Sequence, residues 1–306
     1  MRWDDFRQSE NVEDRTGDGP LAGPGFPLPT GRGGFGIGTI IILGLIAWAV
    51  GIDPRVILSG IEMTQGPAGY EQRIPNQPSV QKKGAPNNEL GRFVAGVLGS
   101  TEDRWAEIFA ESGSRYRPPR LVVFSRATNS ACGYAQSAMG PFYCPPEQAV
   151  YLDTSFFQDL QRKLNACPAG SKTCEFSQAY VIAHEVGHHV QNLLGILPKV
   201  NQAQRGMSPR ERNALQVRVE LQADCFAGVW ANRQQKKKEF LDPGDVDAAL
   251  QTATAIGDDT LQRRSQGVVV PDSFTHGSAA QRKRWFQTGF QSGDINRCNT
   301  FSSDAI

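Results

Sequence analysis

Histidine is scarce in this chain, with four residues in 306, and no surplus of charge of either sign exists, with Lys plus Arg at 32 against Asp plus Glu at 31. Without a basic excess the chain lacks the electrostatic footprint that phosphate backbones attract, so nucleic acid is not an expected partner. The six cysteines all fall between Cys132 and Cys298, and none of their spacings is C-x-x-C, which argues against a zinc site built from cysteine. Long apolar runs are also missing, except at residues 33–52. The length suits one sizeable globular domain plus extra segments.

The little histidine that exists is concentrated. Three of the four lie in AYVIAHEVGHHVQNLL, from Ala179 to Leu194. His184, Glu185 and His188 form an H-E-x-x-H motif, and a spacing of four puts both imidazoles on one helical face. In zinc hydrolases with this pattern the histidines bind Zn²⁺, the glutamate is the general base toward water, and one coordination position stays open. His189 points about 100° away around the helix and reads as a packing or hydrogen-bonded residue. Gly187, a poor residue for mid-helix, suggests close approach by another element.

Two histidines leave the ligand set incomplete. A helix starting at Ser208, with Pro209 in its first turn, carries Glu220 and Asp224 in ELQAD, four apart and so on one face. Glu220 is assigned as the third ligand, and Asp224 as the carboxylate that accepts the free N–H of His184. Alone, E-x-x-x-D describes two solvated acids, but here it is embedded in apolar Leu221, Ala223, Phe226 and Ala227. The fourth histidine, His276, precedes a helix starting near Ser278. It could donate to an oxyanion or serve as a capping and packing residue, and the chemistry alone leaves both open.

In chain order, residues 1–32 read as a disordered tail, rich in charge and then in Gly and Pro. Residues 33–52 (GGFGIGTIIILGLIAWAVGI) carry no charge, and 20 residues of helix match the roughly 30 Å of a bilayer core. They are expected to be an uncleaved transmembrane helix. Arg2, Arg7, Arg15 and Arg32 before it, against Arg55 and Arg73 after it, place the N-terminus in the cytoplasm and the rest outside, where cysteines pair. Residues 53–88, rich in Pro, Gly, Gln and Asn, read as a flexible linker, and 89–306 as the folded domain.

That domain reads as α+β, mainly helical with a small sheet. The 89–112 stretch suggests two helices broken near Gly99 and Ser100, with a capping signature at Thr101 to Arg104. Leu121 to Phe124 and Ala149 to Leu152 read as strands around a hairpin region, the second able to pair with an extended peptide. Ser177 is the expected cap of the H-E-x-x-H helix and Gly195 its stop, with Leu193 and Leu194 packing. Residues 243–264 read as one helix with Asp245, Asp247, Asp258 and Asp259 exposed. A preference for short loops pairs Cys132 with Cys144, Cys167 with Cys174 and Cys225 with Cys298.

With AHEVGHHVQ, ELQADCFAG, FTHGSAAQR and the opening MRWDDFRQSENVEDRTG quoted, the chain resembles the bacterial neutral zinc metallopeptidase family from its first residues to the end of the domain. The resemblance implies a single-pass membrane protein with a zincin-like domain outside the membrane and a peptide or protein substrate. By analogy with gluzincin peptidases it implies Zn²⁺ on His184, His188 and Glu220, with Glu185 as base and Asp224 as support. It also favours the oxyanion role for His276. Two alternatives stay open at this point: an envelope scaffold with structural zinc, and a hydrolase of a non-peptide amide.

Overall fold

The structure is a computed structural model that describes residues 1–17, 82–136, 140–158, 173–302 and 306. It is α+β and mainly helical. One five-stranded sheet has the order β2-β1-β3-β7-β6, built from β1 (Val12–Arg15), β2 (Lys82–Lys83), β3 (Arg120–Phe124), β6 (Phe142–Cys144) and β7 (Ala149–Asp153). A separate hairpin joins β4 (Ala127–Ser130) and β5 (Gly133–Gln136). The helices are α1 (Glu89–Glu111), α2 (Thr173–Leu193), α3 (Ile196–Ala203), α4 (Pro209–Lys237), α5 (Asp245–Ala255), α6 (Asp258–Gln266) and α7 (Ala279–Ser292). The two predicted strands exist with a hairpin, β4-β5, between them as expected, and they pair with each other in parallel, Leu121 beside Val150.

The amino-terminal residues correct the expectation of a tail. Residues 1–17 are part of the domain: β1 pairs in parallel with β3, Val12 beside Leu121, and antiparallel with β2, Asp14 beside Lys82. Met1, Trp3, Phe6 and Val12 are buried in the main core, with Trp3 edge-on to Phe93 and Phe6 against Phe240. The amino group of Met1 lies 3.1 Å from a carboxylate oxygen of buried Asp245. A polar composition misleads here because four apolar side chains among charged neighbours suffice to dock a short segment.

The groove that receives this segment explains a second difference. The 89–112 stretch is one unbroken helix, in which the Ser100 and Thr101 hydroxyls bond back to Val97 and Leu98 carbonyls and cap nothing. Gly99 does not break the helix. A Cβ there would lie 1.9 Å from the Arg7 carbonyl oxygen, so the missing side chain admits the amino-terminal segment. Ser9 N–H donates to the Ala95 carbonyl in the same groove. Residues 82–88, assigned to the linker, likewise belong to the domain, since they supply β2 and Asn88, the cap of α1.

β1 and β3 exchange backbone hydrogen bonds, which a bilayer core of about 30 Å between them would forbid. Residues 12–15 and 120–124 therefore lie in one sheet. Among the described residues no helix is long and apolar enough to cross one. The run 33–52 and most of the predicted linker lie outside the described residues.

Smaller expectations divide. Cys132 pairs with Cys144 and Cys225 with Cys298, as expected. Cys174 is disulfide-bonded, and Cys167 lies outside the described residues. Residues 243–264 form two helices, not one, because Gly257 sits where a Cβ would meet the Ala279 backbone nitrogen at 2.5 Å. Asp245 and Asp258, expected to be exposed, are buried. Ser177 lies inside α2, fully buried and not at its cap, and Leu194 is exposed, while Gly195 does adopt the left-handed conformation that ends the helix.

Candidate metal centre

Three helices meet at the centre by contacts that only small residues allow. Gly187 of α2 faces Ala223 of α4, where an added Cβ would lie 3.0 Å from the Ala223 carbonyl oxygen, so the close approach expected there exists. Glu220 and Asp224 flank Ala223 on α4, and this contact brings them against His184 and His188. On the far side of α4, a Cβ on Gly289 of α7 would lie 1.9 Å from the Cys225 carbonyl oxygen, and one on Gly228 of α4 2.2 Å from that of Phe286. Backbone-to-backbone packing of α4 on α7 sets Arg282 beside Asp224.

The structure brings together His184, His188 and Glu220, which offer one ligand atom each within 4.8 Å of one another. His184 Nε2 is 3.2 Å and His188 Nε2 3.4 Å from Glu220 Oε2. The other polar atom of each residue is held elsewhere. His184 Nδ1 is 2.8 Å from Asp224 Oδ1, His188 Nδ1 is 2.9 Å from Gln191 Oε1, and Glu220 Oε1 accepts from Gln216 Nε2 at 2.9 Å. Gln191 spends its NH₂ on the Val219 carbonyl and on Gln222, so its oxygen faces His188. These partners assign the ring protons to both Nδ1 atoms. Two nitrogen lone pairs and a carboxylate oxygen then converge on one point, and such a set fits a cation between them.

The charges agree with that fit. Burial disfavours the charged ring of His184, but Asp224 and Glu220 outweigh it and push its pKa up to about 10. Burial likewise opposes the charge on Glu220, yet the two histidines hold its carboxyl well below the usual range. For Asp224, burial is overcome by Arg282 and His184, and its pKa falls to about 2. An ion that takes the place of the Nε2 protons would leave both imidazoles neutral, and the formal charges of Glu185, Glu220, Asp224 and Arg282 then sum to two negative charges, the complement of a divalent ion.

The centre lies in the wall of a cavity of about 630 Å³, also lined by Phe142, Phe156, Val181, Leu197, Val200 and Ile256. Glu185 faces this cavity and is 7% exposed. His276 lines it as well, 52% exposed at its side chain and outside the convergent trio. Its loop is tied down by Asp258, whose Oδ2 accepts from the backbone N–H groups of Thr275, His276 and Gly277, with Oδ1 3.3 Å from His276 Nδ1. His189 is buried as expected, within 2.9 Å of the Tyr143 hydroxyl and 2.7 Å of the Arg117 carbonyl, and burial lowers its pKa to about 4.

Sequence reasoning missed Tyr180, Arg282, Gln191 and Asp258. Tyr180 carried a signal, since it precedes His184 by four and shares its helical face. Arg282 carried a weaker one, a charge on the helical stripe of Phe286 and Gly289. Nothing local marks Gln191 or Asp258.

An H-E-x-x-H helix whose imidazoles meet a glutamate from a second helix, beside an open cavity, defines the His₂Glu class of candidate metal centre. A family described as "Putative neutral zinc metallopeptidase" matches residues 1–301, and the chain belongs to that family. The uncharacterized protein YpfJ of Escherichia coli (strain K12) is 46% identical over 304 residues, covering 98% of this chain and 99% of its own length. The uncharacterized proteins Mb2605 of Mycobacterium bovis and Rv2575 of Mycobacterium tuberculosis are each 39% identical over 268 residues, 84% of this chain and 85% of theirs. No solved structure matches.

Proposed function

We propose that this chain is a zinc peptidase that hydrolyses internal bonds of extended peptides. The observation that carries the proposal is the convergence of His184 Nε2, His188 Nε2 and Glu220 Oε2 in the wall of an open cavity that Glu185 also faces. His184, His188 and Glu220 would hold the ion. When bound, zinc supplies Lewis acidity, polarising a carbonyl and making water acidic enough to be deprotonated near neutral pH. Glu185 takes that proton and returns it to the leaving amine. Asp224 holds the proton on His184 Nδ1, and His276, fixed through its backbone by Asp258, donates to the oxygen that gains charge. A structural zinc would have a protein group in its fourth position, whereas this trio borders open space, which favours turnover.

The substrate strand has a different edge from the one expected. β7 is hydrogen-bonded on both sides, by β3 and β6, so it has no free edge. Among the described residues β6 is the edge strand beside β7, and Phe142 and Tyr143 line the cavity. A peptide adding to β6 would run past Glu185 with its side chains against Phe142, Phe156 and Leu197. Arg282, the one arginine or lysine among the described residues that line the cavity, is engaged by Asp224 and so does not hold a chain terminus, which supports cleavage of internal bonds. The purified full chain is expected to cleave an unstructured, aromatic-rich protein, to lose that activity on dialysis against a chelator, and to regain it with one equivalent of Zn²⁺. Activity that survives complete metal removal sinks the proposal.

We further propose that the domain works in an exported, oxidising compartment, with its amino-terminal strand on the same side. The disulfides support the compartment and β1 supports the shared side. Gly17 and Lys82 belong to one compact unit. On spheroplasts, an impermeant maleimide is expected to label Asp4→Cys and Lys237→Cys alike. Labelling of Asp4→Cys only after lysis would overturn the shared side.

A further inference from the structure

We infer that Arg282 is a positioning residue of the metal centre, fixing through Asp224 the plane of the His184 ring and hence the direction of His184 Nε2. The inference rests on reading His184, His188 and Glu220 as the metal ligands. Asp224 is fully buried, and both of its oxygens are engaged. Oδ2 accepts from Arg282 Nε at 2.9 Å. Oδ1 accepts from Arg282 Nη2 at 2.9 Å, from the Tyr180 hydroxyl at 2.6 Å and, in the tautomer assigned above, from His184 Nδ1 at 2.8 Å.

A carboxylate held by one histidine alone can swing about its own bond. Two parallel N–H bonds from a planar guanidinium remove that freedom, and only arginine offers the fork. Arg282 Nη2 also donates to the Tyr180 oxygen at 3.2 Å, which directs the hydroxyl hydrogen to Asp224 and closes a triangle of three residues. The guanidinium is itself placed by main chain, since α7 touches α4 backbone to backbone at Gly228 and Gly289. Its charge is permanent, so Asp224 can accept from a neutral imidazole without standing as an unpaired buried anion.

The test measures zinc release into excess chelator and the visible absorption of the cobalt-loaded chain, on the full-length protein. Arg282→Lys keeps the charge and loses the fork. It is expected to fold, to release zinc about 10- to 100-fold faster, and to shift the cobalt bands. On an Asp224→Asn background the same substitution is expected to change release by less than about twofold, because its route of action is gone. Tyr180→Phe creates no unpaired charge and is expected to speed release about fivefold, which preserves the test if Arg282→Lys does not fold. Wild-type release and cobalt bands in the lysine variant, or in Tyr180→Phe where that variant alone folds, overturn the inference. So does an undiminished effect on the Asn background. A wild-type chain that takes up neither metal overturns the metal-centre reading as well, which separates the two failures.

Discussion

Glu185→Gln is expected to lower peptide hydrolysis at least about a hundredfold while zinc content stays at that of the wild type. The two halves of this result have separate causes. Glutamine keeps the volume and hydrogen-bonding length of glutamate, and Glu185 is not among the three residues whose atoms converge, so the ligand set survives. What is lost is the basic oxygen, because an amide cannot take a proton from water near neutral pH. In the same assay His276→Ala is expected to reduce kcat about tenfold or more with KM little changed, since a donor to developing charge acts on the transition state and not on ground-state binding. Loss of zinc in Glu185→Gln would mean that this side chain holds the ion, and a purely KM effect at His276 would return that residue to a binding or packing role.

How far the centre could be read from the chain follows from how local each contact is. His184, Glu185 and His188 were legible because a helix converts a spacing of four into a shared face. Glu220 and Asp224 were legible because the chemistry demanded a third ligand and a carboxylate behind a histidine, and these two acids share one helical face amid apolar neighbours. Arg282 carried only a weak signal, its place on the stripe of Phe286 and Gly289, since a buried charge and a solvated one look alike until its partner, 58 residues away, is in place. The strands β3 and β7 and the hairpin between them were legible, but the parallel pairing of β3 with β7 was not, because nothing local states which strands pair or in what register. The glycines of α1 misled most. Read by propensity alone, Gly99 breaks a helix; in the fold it is the floor of a groove whose occupant lies more than 90 residues upstream.

That occupant sets the second large effect, because deletion of residues 1–17 is expected to prevent folding, and a chain starting at residue 89 is expected to fare no better. The deletion removes β1 from between β2 and β3, leaving β3 with an unpaired edge. It also removes four buried side chains, Met1, Trp3, Phe6 and Val12. At about 1.5–3 kcal/mol for each buried apolar side chain the loss is roughly 6–12 kcal/mol, comparable with the 5–15 kcal/mol that holds an ordinary domain together. Exposure of the Gly96 and Gly99 groove and loss of the pairing of Arg7 with Glu102 add to it. The opposite cut should be tolerated. β1 and β2 are antiparallel neighbours with Asp14 beside Lys82, so a turn of about five residues in place of 18–81 can join them as a hairpin. Circular dichroism and zinc stoichiometry of the two deletions decide the matter. A soluble, zinc-binding chain without residues 1–17 would show that the strand is dispensable, and would remove the physical reason for the proposal that the amino terminus and the candidate metal centre share one side.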